Sequence, residues 1–194
     1  VPRLVTALAA TALLLVACGG APGNGPDGGP IAQTDLPAPV PAVVDDPAQP
    51  VNLGIDGVDA VIDPVATDVA GALLPPQDVE RVGWWADSAL PGSGAGTIVV
   101  TGHVDDADQG DGYAARFPDL TPGADAVLTL ADGTERRYRI QEIDSTAKDG
   151  ELPVDRLNSL DGPEVLALIT CGGEFVGAPW GYADNVIVFA TPVG

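Results

Sequence analysis

Apolar positions in this chain gather in short runs broken by Gly, Pro and Asp, and no long stretch keeps a helical period. LGIDGVDAVI (53–62) reads as a strand pair broken at Gly57, and GTIVVTGH (96–103) as a buried strand ending at a histidine. In DAVLTLADGTERRYRIQEI (125–143), Asp132-Gly133 between two runs is the strongest local hairpin signal. EVLALIT (164–170) and DNVIVFA (184–190) are β-branched and apolar enough for central strands. ADSAL (86–90) and PVDRLNSL (153–160) each suit a helical turn or short helix. Many short strands with Gly, Pro and Asp turns predict an all-β domain, either a closed or nearly closed barrel or a sandwich.

The first fifty residues follow another pattern. Arg3 precedes an apolar run from Leu4 to Ala17, too short for a comfortable membrane span but of the length of a signal-peptide core. Leu15-Val16-Ala17-Cys18 resembles the lipobox of bacterial lipoproteins, in which the cysteine receives a diacylglycerol and becomes the mature N-terminus. With Val1 as a GTG start would give and no methionine in the chain, an unprocessed bacterial precursor is expected. Residues 19–50 are rich in Gly, Pro, Ala and Asp without a sustained period, as expected of a flexible tether. The sequence therefore divides into a signal peptide (1–18), a tether (19–50) and a folded domain (51–194).

Composition narrows the chemistry. The 194 residues carry 28 acidic and 8 basic side chains, a formal charge of -20, which repels nucleic-acid phosphates. There are 2 cysteines. If Cys18 carries lipid, Cys171 has no intramolecular disulfide partner, and a thiol left over in an oxidising compartment is either buried or chemically useful.

His103 is the only histidine and follows the strand TIVVTG, while Cys171 ends the strand EVLALIT. Alone, each is more often structural. Together, a thiol and an imidazole that both end strands form a nucleophile and base if those strands are neighbours. Zinc would need carboxylates to complete a ligand set. The acidic loop VDDADQGDG (104–112), with Asp106, Asp108 and Asp111, offers oxygen ligands for calcium but lacks the EF-hand arrangement, so a solvated loop is the better reading. No cofactor is called for. Trp84, Trp85 and Trp180 are core or rim residues by default.

The segments RVGWWADSALPGSGAGTIVVTGHVD (81–105), LITCGGEF (168–175) and DNVIVFA (184–190), in that order, resemble the sortase family, particularly its actinobacterial class F group. The resemblance covers about residues 53 to 190. It implies a closed eight-stranded β-barrel with short helices in its connections, carrying a cysteine transpeptidase at the extracellular face of a bacterial membrane. Such an enzyme cleaves an LPXTG-like sorting signal on a secreted protein and joins the acyl group to an amine of cell-wall precursor or of a protein. Cys171 would form the thioester, and His103 would shuttle the proton. Thr170 and the Gly172-Gly173 backbone would shape the oxyanion site. The protein would act as a monomer, attached through the lipid on Cys18 where sortases usually carry a transmembrane helix.

One departure stands out. The family places an arginine on or just before the last strand, yet Arg156 is the last arginine here. Ala183 and Asn185 occupy the expected region, and Asn185 or, from another direction, Arg116 would serve as the third group. The same departure allows a second reading, a catalytically impaired sortase-fold lipoprotein that binds peptides or envelope components.

Overall fold

In the computed structural model, residues 38–177 and 180–194 are described. Strands β1 (Val40–Pro41), β2 (Pro50–Ile55), β3 (Val58–Ala66), β4 (Val82–Trp85) and β5 (Thr97–Thr101) precede a small ribbon of β6 (Asp105–Asp106) and β7 (Gly110–Asp111). A 3-10 turn at Tyr113–Arg116 leads to β8 (Asp125–Leu130), β9 (Glu135–Ala147), helix α1 (Val154–Leu157), β10 (Val165–Gly177) and β11 (Gly181–Pro192). Neighbours run β3-β2-β8-β9-β11-β10-β5-β4, and β4 pairs back onto β3. The sheet thus closes into the eight-stranded barrel expected, with β1 as an added edge on β3.

Two of the hairpins are set locally by their turns. Asp56 and Gly57 both take positive φ, 51° and 77°, the conformation of a tight hairpin between β2 and β3. At Asp132-Gly133 the chain makes a turn closed by the Gly133 N–H to the Leu130 carbonyl at 2.9 Å, and Gly133 takes φ 84°. The Asp132 carboxylate caps this turn by accepting from the Thr134 N–H at 2.8 Å. ADSAL makes a turn rather than a helix, whereas PVDRLNSL contains α1. Strand pairing begins at Val40, inside the segment read as a tether, and Gln49 accepts from the Ala131 N–H. Cys18 and residues 19–37 lie outside the described residues.

Alternation along each strand separates two apolar clusters. Leu53, Ile98, Val100, Leu166, Leu168 and Val188 fill the barrel. Val99, Ala167, Ile169, Ile187 and Phe189 take the opposite parity and pack on its outer wall against Val65, Leu73 and Leu157. Residues 98–100 of β5, 166–169 of β10 and 186–190 of β11 are therefore covered on both faces, which is why those stretches are apolar without interruption. Among the described residues no helix is long and apolar enough to cross a membrane.

Candidate active site

The outer wall positions the chemistry. Strand β10 lies between β5, its parallel neighbour, and β11, its antiparallel one. In the parallel ladder Ile169 pairs with Thr101, and the next backbone link, Gly102 N–H to Ile169 carbonyl, measures 3.1 Å. Two residues further, Cys171 continues β10, whereas β5 has ended and His103 lies in the segment after it. Across the other edge Cys171 pairs directly with Asn185. Since Ala167 and Ile169 face outward, Cys171 does too; Ile187 and Phe189 set the same face for Asn185. Register thus sets Cys171 and Asn185 side by side on the outer face, and His103 follows the end of β5, two residues past the pairing of Thr101 with Ile169.

All three residues are buried. Cys171 is 0% exposed, Asn185 2% and His103 4%. Cys171 is in no disulfide. Burial lowers the pKa of His103 to about 4, against the opposing pull of the Asp106 carboxylate, so the imidazole is neutral at pH 7. Asn185 Oδ1 is buried without a hydrogen-bond partner, as is Thr101 Oγ1 in the next row down. That lower row reads Gly83, Thr101, Ile169, Ile187, one hydroxyl in an apolar strip. Trp85, on the same face, also leaves its buried indole nitrogen unmatched. Buried polar atoms are rarely orphaned, and Asn185, Thr101 and Trp85 place three of them on the wall that carries Cys171.

The remaining sequence candidates fall elsewhere. Thr170 has the inward parity of Leu166 and Leu168, and its hydroxyl donates to the Gly102 carbonyl at 2.9 Å. It ties the end of β5 to β10 and so bears on where His103 begins. A Cβ on Gly172 would stand 2.5 Å from Val186 Cγ2. Gly173 takes φ 76° at a register shift, with the Asp184 carboxylate against it. Arg116 stacks 4.5 Å from the Tyr113 ring centre, donates to the Tyr113 carbonyl at 2.9 Å, and borders a cleft of about 280 Å³ with Glu80, Asp111 and Asp119. Those contacts take its guanidinium to Tyr113. Asp106 Oδ1 accepts from the backbone of Asp108 and Gln109, and Asp111 lies on the partner strand of the ribbon. The acidic loop is hydrogen-bonded to itself, and among the described residues no group of three or more His, Cys, Asp or Glu is arranged to hold a metal.

Sequence reasoning missed two features. Thr101 was hidden inside an apolar strand, and only its outward parity shows that its hydroxyl shares the wall with Cys171. The hydrogen bond from the Tyr182 hydroxyl to Asp105, a pairing of residues 77 apart in sequence, had no local signal.

The sortase domain family model matches residues 53–193, most of the chain, including His103, Cys171 and Asn185. The chain belongs to the sortase family. Sortases are cysteine transpeptidases; here the thiol lies within β10, which continues past the expected strand end to Gly177, and the imidazole follows the end of the neighbouring β5. Sortase C1 of Streptococcus agalactiae shares the fold at a TM-score of 0.56 and 18% identity, over 74% of this chain and 68% of that one. Sortase C-1 of Actinomyces oris gives 0.56 and 21% over 75% of each. A Clostridium perfringens sortase D5 transpeptidase gives 0.53 and 21%, over 75% of this chain and 79% of that one. No curated protein sequence matches the chain.

Proposed function

We propose that this sortase is a class F-like transpeptidase that acts on LPXTG-like sorting signals, through a thioester on Cys171, at the outer face of a bacterial membrane. The lipid on Cys18 would anchor it there, and the acceptor is an amine of cell-wall precursor or of another secreted protein. The observation that carries the reading is the direct pairing of Cys171 on β10 with Asn185 on β11, with His103 just past the end of β5, the strand on the other side of β10.

The proton path follows from the neutral imidazole. An imidazole with a pKa of about 4 does not hold the thiol proton at rest, so transfer accompanies attack. As Cys171 Sγ bonds to the scissile carbonyl carbon, its proton passes to His103. The imidazolium so formed stands beside the new oxyanion and gives the proton to the departing amine as the C–N bond breaks. The acceptor amine reverses the sequence: it bonds to the thioester carbon and loses a proton to His103, which returns it to sulfur as the C–S bond breaks. Splitting amide exchange at the thioester lets one imidazole serve both halves.

Asn185 replaces the charged third group. Its side-chain amide supplies a neutral donor for the oxyanion from the strand next to Cys171. The loss of a strong oxyanion donor is worth on the order of 3 kcal/mol, so a neutral substitute supports a slower enzyme rather than none.

The test is covalent capture. Full-length protein incubated with an LPXTG-containing peptide vinyl sulfone is expected to gain one adduct mass on Cys171, abolished in Cys171→Ala and strongly slowed in His103→Gln. With an LPXTG peptide and a glycine-based amine, the transpeptidation product is expected to accumulate over the hydrolysis product. Absence of adduct together with absence of peptide cleavage would overturn the proposal.

A further inference from the structure

His103 is fixed at its back and at two points of the loop that follows. Gly102 is tied to β10 through the Ile169 carbonyl and the Thr170 hydroxyl. Beyond His103 the chain enters the β6–β7 ribbon, and Gln109 holds the far end of that ribbon to the segment before β4. Its side-chain amide donates to the Gln77 carbonyl at 3.0 Å and accepts from the Val79 N–H at 3.3 Å. The near end has a different tie. The Tyr182 hydroxyl donates to Asp105, two residues past His103, and Tyr182 lies on β11 three residues before Asn185. Strand β10 sits between β5 and β11, so this bond spans the strand that carries Cys171. The Phe175 ring meets the Tyr182 ring edge-on at 5.3 Å and sets its direction.

We propose that Tyr182 and Asp105 are positioning residues for His103: their hydrogen bond spans β10 and fixes the imidazole-bearing loop relative to the strand that carries Asn185. The role rests on the transpeptidase reading, since it assigns the bond to the alignment of the proton shuttle. It extends that reading, because it names a pair outside the reacting groups. Misplacing a catalytic group by a fraction of an ångström slows chemistry without weakening binding, which separates positioning from substrate contact.

The variants are Tyr182→Phe, which removes only the hydroxyl, Asp105→Asn, which keeps a neutral acceptor for it, and Asp105→Ala. For thioester formation on an LPXTG peptide, Tyr182→Phe and Asp105→Ala are expected to lower kcat by about tenfold or more with KM within about twofold. Asp105→Asn stays close to wild type, and the Tyr182→Phe/Asp105→Ala double variant is no slower than the slower single one. A second readout needs no turnover. His103 is the sole histidine, so its ring resonances are unambiguous in the full chain. It titrates near 4 in the wild type. The charged group that acts on it is the Asp106 carboxylate of the ribbon, while Asp105 is engaged by the Tyr182 hydroxyl and Arg81, just before β4, by Asp63. Freeing the loop admits water, so Tyr182→Phe is expected to titrate about one unit higher or more, whereas Asp105→Asn does not rise. Wild-type kcat and an unshifted titration in Tyr182→Phe would overturn the proposal, as would a loss confined to KM. If the wild type forms no thioester, the transpeptidase reading fails, and the histidine titration by itself decides whether the pair holds the loop.

Discussion

Acidification tests the burial of His103 through both stability and rate. In the folded protein its pKa stands at about 4, against an ordinary 6.5, because desolvation outweighs the attraction of Asp106. Between those values the unfolded chain binds a proton that the folded protein does not. The contribution is therefore fully present above about pH 6.5, is lost as pH falls towards 4, and changes no further below that. The difference of about 2.5 pKa units corresponds to roughly 3 kcal/mol, most of it lost by pH 4.5. Carboxylates titrate over part of the same range, so the quantity to measure is a difference. Urea unfolding of the full chain and of His103→Gln at pH 7 and 4.5 is expected to show the wild type losing about 2 kcal/mol more than the variant. The rate carries the same signature. The kcat/KM profile with an LPXTG peptide should keep its acid limb below about pH 5, because the shuttle starts from neutral imidazole. Parallel stability losses in the two proteins, or an acid limb near 6.5, would refute the burial of this side chain.

Three further outcomes follow from the wall around Cys171. Asn185→Ala is expected to slow thioester formation by about 100-fold with KM little changed, and Asn185→Asp, which sets a negative charge where the oxyanion forms, by more; single-turnover kinetics checks both. Thr101→Val removes an unmatched buried hydroxyl, so thermal denaturation should show equal or higher stability, by up to about 1 to 3 kcal/mol, while kcat/KM falls if the hydroxyl meets the peptide. Gly173→Ala forces a Cβ onto a residue at φ 76°, 2.7 Å from Asp184 Oδ2, and is expected to destabilise by about 1 to 3 kcal/mol in urea unfolding.

The strand runs and the Asp-Gly turns were legible because each is a local pattern: apolar residues with β-branched character, and turn residues that accept positive φ. Closure into a barrel was not local. It depends on β4 returning to β3, and VGWW (82–85) is too short to stand out as a strand until its register with Asp63 and Val65 is known. Cys171 and His103 were legible through their rarity; His103 does follow a strand end, whereas β10 continues past Cys171 to Gly177 through the Gly172-Gly173 irregularity. What the sequence could not supply was the parity that puts Cys171 on the outer wall. Nor could it show that Thr170, next to the nucleophile, turns inward to hold Gly102, whereas Thr101, seventy residues away, shares the outer face. Arg116 shows the same limit from the other side. A guanidinium thirteen residues past His103 was a reasonable substitute on paper, and only the fold reveals the aromatic ring that takes it up.

The neutral character of the site follows from its burial. A guanidinium at position 185, on a residue 2% exposed, would have to be stripped of water and given a partner. The nearest carboxylate on the same strand, Asp184, accepts from the Ser145 hydroxyl at 2.9 Å and lies against Gly173, with the opposite parity to Asn185. An unpaired buried charge there would cost several kcal/mol, a large part of the stability of a domain this size. A carboxamide avoids that penalty, and a neutral imidazole beside it likewise leaves no resting charge to be solvated. In the proposed reaction charge would appear only as an imidazolium and an oxyanion formed together from neutral groups, each the other's counter-ion. On this logic the missing arginine and the depressed histidine pKa have one cause: burial that penalises a resting positive charge more than the Asp106 carboxylate favours it.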